Sequence, residues 1–172
     1  ALKHFAAAGK CNPAYFFSSL SRKKDLFLRE MKNQGFAGGE DHLLHVAVSD
    51  NMSNAFNWNA YGKYLDDTYP DRIPFDAFLA STDECAAALI RDLKRRGLRV
   101  PEDIAVCGFN NSDMSEFFDP PIASISREES RVADVIENML VQRLGNPQLR
   151  QQVRTLSMKF IPRNSAGIIN KG

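Results

Sequence analysis

Apolar and polar positions change period repeatedly along the chain, and each change marks an element. Residues 1–9 are helix formers that stop at Gly9 and begin with no capping residue, so this helix reads as cut at its start. Residues 13–17 (PAYFF) form an apolar run of strand length, and residues 21–34 return to helical spacing through Leu26, Phe27 and Met31 before Gly35. The same alternation predicts a strand over 43–48 and a helix over 53–68 with Trp58, Tyr61 and Leu65 on one face. A two-proline turn over 69–74 leads to a strand over 76–80 and then to a further helix. Strands over 104–109 and 122–125, a long helix over 127–144 and an alternating strand over 156–161 complete the series, and the tail after Ser165 is expected to be loose.

The helix after residue 80 carries its own start and stop. Ser81-Thr82-Asp83-Glu84 matches a capping box, while Lys94, Arg95 and Arg96 face the negative helix end before Gly97. Its stripe of Ala86, Leu89, Ile90 and Leu93 needs an apolar partner, and IAVCGF at 104–109 is apolar enough to be covered on both faces. Strands alternating with helices across short connections predict an α/β fold, a parallel sheet flanked by helices on both faces.

Composition narrows the function. Basic and acidic side chains nearly balance, 22 against 21, without a basic block, which argues against a nucleic-acid or membrane-surface footprint in this part of the molecule. No apolar run approaches a membrane span and no leader opens the chain, so a soluble, cytoplasmic protein is expected. Three widely spaced cysteines without CxxC fit a reducing compartment, as buried free thiols.

In parallel sheets, ligands bind where the carboxyl ends of strands converge with helix N-termini. The predicted strands exit into Ser18, Ser19, Ser21 and Arg22; Asp50 and Asn51; Ser81, Thr82 and Asp83; and Asn110 and Asn111. Short hydroxyl and amide groups suit a polyhydroxylated small molecule. Caps and turns require the same residues: Ser81 and Asp83 read first as capping groups, Asn110 and Asn111 as a turn, and Arg22 as part of a solvated charge run. Catalytic patterns are absent. There is no P-loop, GxGxxG or GxSxG, the three histidines lack metal-site spacing, and Glu129 closes another capping box from Ser126 at a helix start. Neither an enzyme nor a cofactor or metal site is expected.

The runs DAFLASTDECA at 76–86, GLRVPEDIAVCGFNN at 97–111 and PPIASI at 120–125, with Arg163-Asn164-Ser165 near the end, resemble the LacI/GalR family of transcription regulators along nearly the whole chain. The resemblance implies a type I periplasmic-binding-protein-like core of two α/β subdomains with a sugar effector in the cleft between them. Residues 1–125 then match the C-terminal subdomain, 126–154 a crossover helix belonging to the N-terminal subdomain, and 155–172 the returning strand and tail. It further implies a sugar-responsive repressor, a homodimer, and operator DNA contacted only through a headpiece outside this sequence. Transferred effector contacts are Arg22, with the count to Phe27 and Gly35 favouring Lys23; Met52 near Phe56; Thr82 and Asp83; Asn110; and Arg127. Threonine and asparagine stand where the family usually has an amide and an acid, and Arg127 adds a cation, which admits a more anionic effector such as a uronate or phosphosugar. A periplasmic sugar receptor, or a sensor fused to a signalling enzyme, would share the fold.

Overall fold

Six strands form one sheet because the apolar runs found in the sequence pair side by side. The structure, a computed structural model, describes residues 1–17, 23–46 and 58–167. Strands β1 (Pro13–Phe17), β2 (Leu43–His45), β3 (Ala77–Ala80), β4 (Ala105–Phe109), β5 (Ala123–Ser126) and β6 (Lys159–Ile161) lie in the order β2-β1-β3-β4-β5-β6. The first five are parallel, whereas β6 joins β5 antiparallel, so the sheet is mixed and not uniformly parallel. Alternation in residues 156–161 gave no strand direction, and only residues 159–161 pair.

Helices cover both faces. On one, α3 (Trp58–Thr68) and α4 (Asp83–Arg95) pack Tyr61, Leu65, Ala86, Leu89, Ile90 and Leu93 against Phe16, Phe78 and Val106. On the other, α1 (Leu2–Ala7) and α2 (Lys23–Asn33) place Leu2, Phe5, Phe27 and Met31 against Tyr15, Ala105 and Cys107. Small side chains, Ala86, Ala87 and Ala88, let α4 lie flush on the sheet, and all three are fully buried. Gly97 ends this helix at φ +77°, with Leu98 N donating back to Leu93 O at 3.0 Å, a closure in which a β-carbon would be strained.

Several local expectations are corrected. The N-cap of α4 is Thr82, not Ser81: its Oγ1 accepts from Cys85 N at 3.2 Å, one register later than the capping box proposed from sequence. Ser126 does not cap α6 (Glu129–Gly145) through Glu129 either. Its hydroxyl accepts from Glu128 N at 3.0 Å, and Glu128 stands at φ +49° as the N-cap. A short helix α5 (Asp113–Phe117) occupies a stretch with no predicted element. The tail holds longer than expected, since Ser165 and Ala166 in the 3-10 turn Asn164–Ala166 are fully buried. Cys85 and Cys107 are buried, but Cys11 is exposed.

Candidate functional site

Parallel register brings the carboxyl ends of β1, β3, β4 and β5 to one edge, with Lys23 and the polar residues that follow β3, β4 and β5. Lys23 opens α2 and reaches across: its Nζ donates to Ser81 O at 3.0 Å, just after β3, and sits 3.6 Å from the centroid of the Phe109 ring that ends β4. Burial, and then the nearby Arg127 guanidinium, hold the Lys23 ammonium below the ordinary lysine range. Arg127 follows β5 and is half exposed, 3.5 Å from the Glu129 carboxylate. Lys23, Thr82, Asn110 and Arg127 therefore share one edge. Arg22 and Met52 lie outside the described residues, as do Ser18, Ser19, Ser21, Asp50, Asn51 and Phe56.

Hydroxyls after β3 turn inward. Ser81 Oγ lies 3.3 Å and Tyr61 Oη 3.0 Å from the buried Cys85 sulfur, so Ser81 offers the edge its carbonyl and not its hydroxyl. Thr82 stays partly exposed while its Oγ1 caps α4.

Asp83 is fully buried, and both its oxygens are occupied. Oδ2 accepts from Ser112 N at 2.7 Å and Ser112 Oγ at 3.0 Å, and Oδ1 accepts from Ser124 Oγ at 2.6 Å. Ser124 Oγ in turn accepts from Asn111 N at 2.9 Å. The carboxylate thus ties the start of α4 to the loop after β4 and to β5. Gly108 is required for this approach, because a β-carbon there would fall 2.2 Å from Asp83 Oδ1 and 3.0 Å from its Cα. A buried carboxylate filled by three donors is a positioning group, which holds the edge without facing a ligand.

Asn110 and Asn111 both take positive φ, +102° and +55°, a region asparagine tolerates better than most residues. Asn110 N donates to Ile125 O at 3.0 Å, and Asn111 Oδ1 accepts from Arg163 Nη2 at 2.8 Å. Arg163 also donates to Ile122 O at 2.9 Å and Ser115 Oγ at 3.2 Å. Ser165 Oγ donates to Val106 O at 2.7 Å and accepts from Ala123 N at 2.9 Å. Arg163 and Ser165 therefore clasp the edge from below. Spacing alone could not reveal that role, because the partners lie 41–59 residues away.

Two depressions flank the sheet. One of about 780 Å³ has Lys23, Phe109 and Ile125 in its wall together with Leu79, Phe27 and Phe160, so it adjoins the candidate edge and is mostly apolar. The other, about 860 Å³, lies at the opposite edge among Asn12, Asp66, Asp76, Arg96 and Asp103. Several of its charges are engaged with one another and with the backbone: Asp66 receives Arg95 and Arg96, Asp103 receives Arg99, and Asp76 receives the amides of Cys11 and Asn12. Among the described residues no His, Cys, Asp and Glu cluster could hold a metal, and no helix is long and apolar enough to cross a membrane.

Comparison with known proteins agrees with this architecture. Residues 2–166 match the family model of the periplasmic binding protein-like domain. Among curated proteins, the HTH-type transcriptional repressor PurR of Vibrio campbellii is 29% identical over 94 residues, covering 55% of this chain and 28% of that protein. PurR of Aliivibrio fischeri (strain MJ11) is 32% identical over 89 residues, covering 52% and 26%. The matches thus span only about a quarter of the length of these relatives. Among solved structures, the transcriptional regulator CelR in complex with cellobiose superposes with TM-score 0.77 at 21% identity, covering 96% of this chain and 50% of that one. A LacI family regulator from Arthrobacter sp. FB24 in complex with lactose gives 0.74 at 19% identity, covering 96% and 60%. The chain belongs to the periplasmic binding protein-like domain family, and the proteins named here to which it is similar are transcription regulators.

Proposed function

We propose that this chain is the effector-binding and dimerisation part of a cytoplasmic, sugar-responsive, non-enzymatic LacI-type repressor. The observation that carries the proposal is the single edge at which Lys23, Thr82, Asn110 and Arg127 meet, in a fold whose neighbours include complexes with cellobiose and lactose. Those side chains form one wall of a pocket. The second wall comes from a subdomain to which residues 126–154 belong, while residues 1–125 form the subdomain described above and 155–172 return to it. Helix α6 supports this division: it buries no residue, and Ile136, Leu140 and Leu144 stand exposed at intervals of four along one face.

Effector binding closes the cleft because the two walls hold the ligand better together than apart, and closure changes how a headpiece sits on operator DNA. The test is a thermal-shift screen of sugars on the full-length regulator, followed by operator binding with and without the hit. The expected result is a ligand that stabilises the protein and changes operator affinity, with both effects lost in Asn110→Ala. A stabilising ligand that leaves operator affinity untouched would refute the regulatory reading.

A further inference from the structure

Resting on the reading of this edge as an effector site, we propose that Arg163 is a positioning residue for effector recognition: without touching the ligand, it holds the turn of Asn110 and Asn111 in the shape the site uses. These are consecutive non-glycine residues at positive φ, +102° and +55°. Asparagine tolerates this region, yet two such residues in succession are strained and persist only where their surroundings over-determine them. The backbone here is pinned from neighbouring elements. The amides of Asn110, Asn111 and Ser112 donate to Ile125 O at 3.0 Å, Ser124 Oγ at 2.9 Å and Asp83 Oδ2 at 2.7 Å.

Side-chain anchorage comes from Arg163, which follows β6. Its Nη2 donates to Asn111 Oδ1 at 2.8 Å, while Nη1 donates to Ile122 O at 2.9 Å and Ser115 Oγ at 3.2 Å. Planarity makes this more than a bond: with one nitrogen held at the start of β5 and on α5, the direction of the other is fixed, and so is the carboxamide of Asn111. A lysine ammonium has no second nitrogen for the task. Glycine at these positions would take positive φ without a restraint, whereas here two larger side chains take it with one. Strain at a polar rim, held from outside that rim, is what a preorganised recognition site requires.

The test follows the Thr82 and Asn110 amides in ¹H–¹⁵N spectra of the 172-residue chain as cellobiose, lactose, sucrose and D-ribose are added. For a sugar that binds the parent, Arg163→Ala is expected to weaken binding about tenfold, the low end for a hydrogen bond to a charged group. Arg163→Lys, which keeps the charge and loses the fork, should weaken it nearly as much. Asn111→Ala spares the Ile122 and Ser115 bonds, so it should lower affinity in the same way and reads the proposal even if Arg163→Ala does not fold. Adding Asn111→Gly to Arg163→Ala separates positioning from stability. Glycine takes positive φ unaided, so affinity should return to within about threefold of the parent, while the unfolding midpoint stays low because Ile122 O and Ser115 Oγ still lack Arg163. Unchanged affinity in Arg163→Ala or Asn111→Ala would overturn the proposal and leave the effector site standing. So would a loss that Asn111→Gly fails to recover, the mark of a direct ligand contact or of general destabilisation. A parent chain silent toward all four sugars would remove the effector site and the proposal with it.

Discussion

Replacing Asp83 by alanine withdraws a buried acceptor from three donors at once: the Ser112 amide, the Ser112 hydroxyl and the Ser124 hydroxyl. Hydrogen bonds to a charged partner contribute about 1.5–3 kcal/mol each, but these share one carboxylate and do not add. Both serine hydroxyls can rotate toward other acceptors, whereas the Ser112 N–H is fixed by the backbone. A net loss of about 3–4 kcal/mol follows. Asp83→Asn keeps the shape and one oxygen for Ser112, and its amide group must then donate to Ser124 Oγ, which already accepts from Asn111 N. That rearrangement should cost about 1–2 kcal/mol. For a chain of this size the shifts in Tm are about 10 °C for alanine and about 4 °C for asparagine. Thermal and urea unfolding followed by circular dichroism measure both. An alanine variant within about 1 kcal/mol of the parent, or an asparagine variant as damaged as the alanine, would refute the account of Asp83 as a shared acceptor.

Other consequences are equally open to measurement. Gly108→Ala drives a β-carbon into Asp83 and the backbone of α4, and should destabilise by about 3 kcal/mol in urea titration. A thiol reagent at mild alkaline pH should modify Cys11 in the native chain and reach Cys85 and Cys107 only after unfolding, because burial pushes the Cys107 thiol up to about 12. Rapid labelling of Cys107 without unfolding would contradict its placement. Folded Lys23 releases its proton at lower pH than the unfolded side chain, so in the window just below the ordinary lysine value the unfolded state binds more protons and stability rises with pH. Subtracting the Lys23→Met profile from that of the parent isolates this rise, and a flat difference would show that the ammonium is not strained.

Long, strongly patterned elements were legible from the residues because burial on one or both faces leaves a period in the sequence. The stripe Ala86, Leu89, Ile90 and Leu93 is buried as that period requires, and Gly97 stops the helix as expected. Features decided by one hydrogen bond were less legible. Ser81 and Thr82 are both competent caps, and which one serves depends on where the chain leaves β3. Residues 113–117 are too few to show a helical period, and the alternation over 156–161 is the same for a parallel and an antiparallel strand.

At the candidate edge, sequence located the polar tips but not their division of labour. Lys23, Thr82 and Asn110 stand at the rim, while Asp83, grouped with them by adjacency, lies beneath and holds the rim in place. Arg163 and Ser165 entered through a resemblance in the string Arg-x-Ser. Their task became visible only when partners distant along the chain were brought beside them.

That clasp sets an order on maturation. Arg163 and Ser165 are synthesised after β4, β5 and α6, yet they complete the support of Asn111, Val106 and Ala123. A nascent chain ending before residue 163 can pair its parallel strands but must leave the loop after β4 slack. This edge of the sheet is therefore fully braced only when the turn that follows β6 has come home.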